Sequence, residues 1–95
     1  MPNHRAYIAG IKFRPGARER LERLSQDAEL QLEAEPENQY DRHAVKILAE
    51  GFHVGYVPRE LSREVSELLA AGRIERVSRT SVSGIAIHYQ EKEST

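Results

Sequence analysis

At 95 residues, with 31% charged and 39% hydrophobic residues, the chain has the size and balance of one small globular domain. It has no cysteine, hence no disulfide framework or thiolate metal site, and no apolar run long enough for a membrane span or signal peptide. Fourteen basic against fifteen acidic residues, formally −1, leave no broad field for coating nucleic acid, so a nucleic-acid ligand would have to be gripped locally, at a short segment or an end.

The expectation is therefore a single domain over residues 1–95, with its core at about 5–90. It should be a monomer inside the cell, cytoplasmic or nucleoid-associated, with no cofactor and no membrane partner.

Tyr7 to Phe13 alternates as a strand, with Tyr7, Ile11 and Phe13 on one face and Ile8 and Lys12 on the other. Arg14-Pro15-Gly16 is a turn signal. Ala17 to Leu24 is made of good helix formers with a thin apolar face, Leu21 and Leu24, and predicts a short helix lying on the surface. Glu29 to Ala34 alternates cleanly and predicts a strand with Leu30, Leu32 and Ala34 inward.

The stretch Glu35-Pro36-Glu37-Asn38-Gln39-Tyr40-Asp41-Arg42-His43-Ala44-Val45 stands apart. Pro36 stiffens its start, and Asn38 and Asp41 favour tight turns through their side chains. One tyrosine is thereby held beside a carboxylate at the rim of whatever the strands build. A recognition site and a well-made structural turn both fit that description.

A strand follows over His43 to Ala49, then the hairpin turn Glu50-Gly51 and a strand over Phe52 to Val57. Pro58 ends that strand and suits a helix start. Arg59 to Ala71 is the clearest helix, with Leu61, Val65, Leu68 and Leu69 at helical spacing and Gly72 placed to cap it. Arg73 to Ser81 alternates weakly and Ile85, Ile87 and Tyr89 better, giving two last strands before a polar tail, Glu91 to Thr95, expected to fray. Five or six strands this short must close to cover their edges. The fold class is mainly β: a small, partly open OB-like or SH3-like barrel, with one firm helix and a second short one.

Candidate site residues each have an ordinary reading. His4, His43, His53 and His88 are scattered without ligand spacing, and Asp41 with His43 supplies two ligands where zinc needs more. Glu33, Glu35, Glu37 and Asp41 cluster in sequence, and Glu33, Glu35 and Asp41 could form a metal-dependent nuclease centre, yet such acids commonly cover solvated faces. No nucleophile motif or phosphate-cradling glycine loop is present, so no catalytic residue is expected. Tyr7, Tyr40 and Tyr56 sit at strand ends, where rings cap a core or stack on bases. Arg5, Lys12, Arg14, Arg42 and Arg59 lie near them in sequence.

The block Glu35-Pro36-x-Asn38-x-Tyr40-Asp41-x-x-Ala44-Val45-x-Ile47, followed by Val54-Gly55-Tyr56-Val57-Pro58 and the leucine-bearing helix, resembles the HIRAN domain. Tyr7-Ile8-Ala9-Gly10 and Leu30-Gln31-Leu32 fit the same pattern, so the likeness spans roughly residues 5–80. It implies a barrel related to the oligonucleotide-binding fold that holds single-stranded DNA and captures a free 3′ end, in the setting of DNA repair. It also implies DNA-processing ATPases or nucleases as partners, because HIRAN domains occur fused to such modules. By position, Tyr40 would stack on the terminal base, Asp41 would accept a hydrogen bond from the 3′-hydroxyl, and Tyr7 would supply a second ring. Tyr56, a third ring at a strand end, and Arg5 and Arg59, near the tyrosines in sequence, complete the expected nucleic-acid-binding set. The chain departs from the family pattern at Gln39, where proline is frequent, at Ala6, where the DNA-end binders carry a basic residue, and at Tyr56, where a histidine occurs.

Two stacked rings supply about 2–6 kcal/mol. Two or three neutralised phosphates then give a salt slope of about −1.4 to −2. The rival reading is a protein-interaction module using the same groove or a strand edge, favoured by the near-zero net charge.

Overall fold

Alternation in the apolar strands sets the interior of the structure, a computed structural model that describes residues 2–91. Its strands are β1 (Asn3–Tyr7), β2 (Gln31–Ala34), β3 (Val45–Ala49), β4 (Phe52–Tyr56), β5 (Ile74–Arg79) and β6 (Gly84–Tyr89). Two helices join them, α1 (Ala17–Arg23) and α2 (Arg59–Ala70), with a short 3-10 turn at Ile11–Phe13. In β3, Val45, Ile47 and Ala49 are fully buried, and Val54 of β4, Val77 of β5 and Ile85 and Ile87 of β6 meet them in one core.

The strands form two antiparallel three-stranded sheets, ordered β1-β6-β5 and β2-β3-β4. Two single bridges join the sheets into a ring, Leu30 to Val77 on one side and Ala9 to Tyr56 on the other. At the second seam the backbones exchange both hydrogen bonds, 2.8 and 2.9 Å long. Gly55 permits that approach, because a Cβ there would sit 2.5 Å from the Ile8 side chain and 2.6 Å from the Ala9 carbonyl oxygen. The architecture is the expected small, partly open barrel with helices packed against it.

Three local expectations change. The first strand lies earlier, at Asn3–Tyr7, and the chain leaves it at Gly10 for the 3-10 turn. Alternation through Phe13 therefore fails: Ile8 is buried, whereas Tyr7 and Phe13 are exposed. Pairing with β6 makes Asn3-His4-Arg5 a strand despite weak strand propensity. Next, α1 is sunk deeper than a surface helix, with Ala17 and Leu21 fully buried. Finally, Ala34 is exposed where an inward position was expected, because β2 ends there and hands the chain to the loop.

The remaining elements match within a residue or two. The β3–β4 hairpin turns on Glu50 and Gly51, both with positive φ. α2 ends in a Schellman motif: Gly72, with φ 70°, donates to the Leu69 carbonyl and Arg73 to that of Leu68. Of the expected tail, residues 92–95 lie outside the described residues.

α1 is tied down by a buried side chain that sequence reading passed over. The Arg79 guanidinium donates to the carbonyls of Leu21 and Leu24 at 2.8 Å each, and to those of Ser25 and Val82 at 3.2 and 3.3 Å. The Leu21 and Leu24 carbonyls belong to the helix C-terminus, where acceptors are orphaned and a cation is favourable.

Candidate functional site

The loop 35–44 is closed at its neck by the Glu35 amide donating to the Ala44 carbonyl at 2.9 Å. Inside it, Asn38 acts as a second backbone. Its Oδ1 accepts from the amides of Tyr40 and Asp41 at 2.8 and 3.0 Å, and its Nδ2 donates to Glu35 Oε1 at 2.7 Å. Asp41 Oδ1 in turn accepts from the His43 amide at 2.8 Å. These are the local side-chain turns that Asn and Asp favour.

Longer-range bonds then fix the loop to the barrel and to α2. The Tyr56 hydroxyl donates to Glu35 Oε1 at 2.8 Å, and Lys46 Nζ lies 3.6 Å from Glu35 Oε2. The Ser62 hydroxyl donates to Asp41 Oδ2 at 2.6 Å, while Arg59 donates to the Tyr40 carbonyl at 3.3 Å. Tyr40 is thus gripped at its amide by Asn38 and at its carbonyl by Arg59. Its ring, 83% exposed, has no partner among the described residues.

The ring overhangs a groove of about 250 Å³ at the Ala9–Tyr56 seam, lined by Ala9, Asn38, Tyr40, Asp41, Ala44, Tyr56, Val57 and Arg59. The walls are chiefly apolar, with one carboxylate and one guanidinium among the lining side chains. Tyr40, Asp41, Tyr56 and Arg59, chosen from sequence at separated positions, therefore converge. Arg5 and Tyr7 do not line this groove; they share the outward face of β1 with Asn3.

Phe13 was missed as a candidate ring. It is 75% exposed, Lys12 Nζ sits 5.2 Å from its centroid, and it lies four residues beyond Ala9 in the groove wall. The signal was Gly10, which ends the strand and frees Lys12-Phe13 from the core. Ser62 was missed as well. Its hydroxyl interrupts the apolar row of α2, and that polar break was the sign of a partner outside the helix.

Charge in the loop is set by hydrogen bonding. Donation from Asn38, then from Tyr56, holds the Glu35 carboxyl below its ordinary pKa, against the opposing effect of burial. The Ser62 hydroxyl does the same for Asp41, so both carboxylates are ionised at neutral pH. Burial, then the bond to Glu35, raises the Tyr56 phenol, which stays a neutral donor. Lys46 faces Glu33 at 3.3 Å as well as Glu35, whereas Arg59, which lines the groove, makes no ion pair within 4 Å among the described residues.

A larger concavity of about 750 Å³ lies beside α1, between Arg20, Arg23, Ser25 and Glu50. It mixes both charges, and Arg20 is stacked 4.2 Å over the Phe52 ring. Among the described residues its lining includes no aromatic ring on which a base could stack.

A sequence profile for the HIRAN domain matches residues 2–90. Among solved structures, the HIRAN domain of human HLTF superposes with a TM-score of 0.75 at 16% identity, covering 92% of this chain and 74% of that one. A protein from Lactobacillus plantarum gives a TM-score of 0.71 at 17% identity, over 90% of this chain and 93% of its own. No curated protein sequence matches significantly.

Proposed function

The chain belongs to the HIRAN domain family, a family of DNA-binding modules, and from that premise we propose that it is a non-catalytic module holding single-stranded DNA by a free 3′ end. The observation that carries this reading is Tyr40: an unpartnered ring, 83% exposed, on a backbone held from both sides. Folding does not require so exposed a ring to be so firmly placed. Preorganisation of this kind lowers the ordering cost of binding.

The terminal base stacks on Tyr40 over the apolar groove, with Tyr56 forming the opposite wall. Asp41 uses one lone pair of each carboxylate oxygen on Ser62 and His43, and its remaining lone pairs accept the 3′-hydroxyl. A 3′-phosphate there would set like charges together and be rejected. Arg59 takes the nearest phosphate. Phe13 with Lys12 offers the second ring and a further cation, while Tyr7 and Arg5 on the outer face of β1 serve a peripheral role. Such an end-binding module would deliver an associated ATPase or nuclease to DNA ends.

Fluorescence anisotropy with 3′-hydroxyl and 3′-phosphate oligonucleotides tests the reading. The hydroxyl strand should bind more tightly; equal affinities sink end capture, and binding of neither sinks the function. The protein-interaction reading rests on the net charge of −1. It would be favoured by a single partner recovered after nuclease treatment together with no oligonucleotide binding.

A further inference from the structure

Between the end of β1 and the end of α1 the charge balance inverts. Residues 12–23 hold five basic side chains (Lys12, Arg14, Arg18, Arg20, Arg23) against Glu19 and Glu22, in a chain whose net charge is −1. Lys12, Arg14 and Arg18 line a single cleft of about 310 Å³, with Ile11 and Glu19 in its walls. Among the described residues, none of the three cations lies within ion-pair distance of a carboxylate, Glu19 included. Arg14 donates its Nε to the His53 carbonyl at 3.3 Å, which pins its stem to β4 and leaves its terminal nitrogens unpartnered among the described residues.

The cleft adjoins the groove. Ala9 lines the groove and Ile11 the cleft, and with only Gly10 between them their Cα atoms are at most about 7 Å apart. A strand whose end lies in the groove and which leaves past Ala9 would meet these cations almost at once. Free guanidinium forks match the paired oxygens of a phosphodiester, and the cleft wall carries no aromatic platform for a base.

We propose that this cleft is a backbone-binding track for the strand whose terminal base occupies the groove, with Arg14 and Arg18 each holding a phosphate. The proposal rests on the single-stranded DNA reading above and extends it from the end of the strand to its body. With Arg59 and Lys12 included, about four phosphates are neutralised. The log–log salt slope then steepens to about −2.8, beyond the −1.4 to −2 anticipated from composition.

The test is anisotropy of an oligonucleotide of about twelve bases with a 3′-hydroxyl, titrated between 50 and 200 mM salt. The full chain is compared with Arg14→Gln/Arg18→Gln and with Arg18→Glu. Arg18 is exposed and makes no hydrogen bond among the described residues, so Arg18→Glu leaves the fold intact, checked by thermal melting. The double variant should lose about 1.4 from the slope while keeping its preference for a 3′-hydroxyl over a 3′-phosphate. Arg18→Glu should bind more weakly still at low salt. Variants that bind with the unaltered slope, beside a binding wild type, overturn the track and leave the groove reading standing. A wild type that binds no oligonucleotide overturns both. Displacement of the strand by polyglutamate as readily as by unlabelled oligonucleotide also overturns the track, marking a general anion surface instead.

Discussion

The two seams of the barrel solve the same problem in opposite ways. At each, one isolated bridge joins the two sheets among the described residues, Leu30–Val77 or Ala9–Tyr56, and leaves the rest of the seam to be closed by other contacts. The first is sealed: Leu21, Leu30 and Val77 are buried there, and Arg79 is locked onto the carbonyls at the end of α1. The second is left open as a groove, bordered by a loop that hydrogen bonds hold in place, its own and those from Tyr56, Arg59 and Ser62. A small barrel has too little core to fill both gaps. It spends apolar burial on one and polar preorganisation on the other, and the second is where a ligand can still enter.

Breaking the sealed seam should cost most. Arg79→Ala strands the carbonyls of Leu21 and Leu24 and empties a buried site, an expected loss of about 3–5 kcal/mol read by chemical denaturation. A loss under about 1 kcal/mol would show that burial of Ala17 and Leu21 holds α1 without Arg79. Gly55→Ala attacks the open seam by forcing a Cβ against Ile8 and the Ala9 carbonyl, with an expected destabilisation of about 2–3 kcal/mol. Unchanged stability would mean that the Ala9–Tyr56 bridge is dispensable.

Tyr40→Ala sharpens the contrast, because the proposed function rests on this ring while its exposure leaves the fold little stake in it. Binding of a 3′-hydroxyl oligonucleotide should weaken by about 1–3 kcal/mol. Stability should move by less than about 0.5 kcal/mol, as for an exposed side chain. A large drop in melting temperature would instead make the ring structural.

The smallest effect is in acid. Glu35 titrates in the fold below its ordinary value of 4.5, and Asp41 below its 3.8. Depressed carboxylates stabilise fully above those ordinary values, and the contribution disappears as pH falls through the lowered folded ones. Protection of the Tyr40 and Asp41 amides, measured against the intrinsic exchange rate at each pH, should therefore fall below about pH 4 before the core opens. Glu35→Gln, which lacks one of these titrations, should show a shallower acid dependence; an identical profile would remove Glu35 as the loop's anchor.

Sequence reading went furthest where one residue type answers to one local rule. Asn38 and Asp41 turn the loop through their own side chains, Gly72 caps α2, Glu50-Gly51 turns the hairpin, and Val45, Ile47 and Ala49 alternate. It failed where a distant partner decides. Pairing with β6 made a strand of Asn3-His4-Arg5, and Ser62 is buried because Asp41 receives its hydroxyl. The second candidate ring illustrates both. Alternation through Gly10 put Phe13 on a strand face, yet the turn at Gly10 throws it into solvent with Lys12 over its face.

By itself, then, the sequence determined a small mainly β barrel, a stiff loop carrying Tyr40 and Asp41, and the family whose motif that loop bears. These follow from short-range physics: side-chain turns, strand alternation and helical spacing act over a few residues. Only the tertiary structure decided which seam stays open, that Tyr56 and Arg59 join Tyr40 and Asp41 there while Tyr7 and Arg5 do not, and that Arg14 and Arg18 line a cleft of their own with Ile11. Those outcomes depend on how two sheets close around a core too small to cover both gaps. Closure is a property of contacts between distant residues, which no local window of the chain contains.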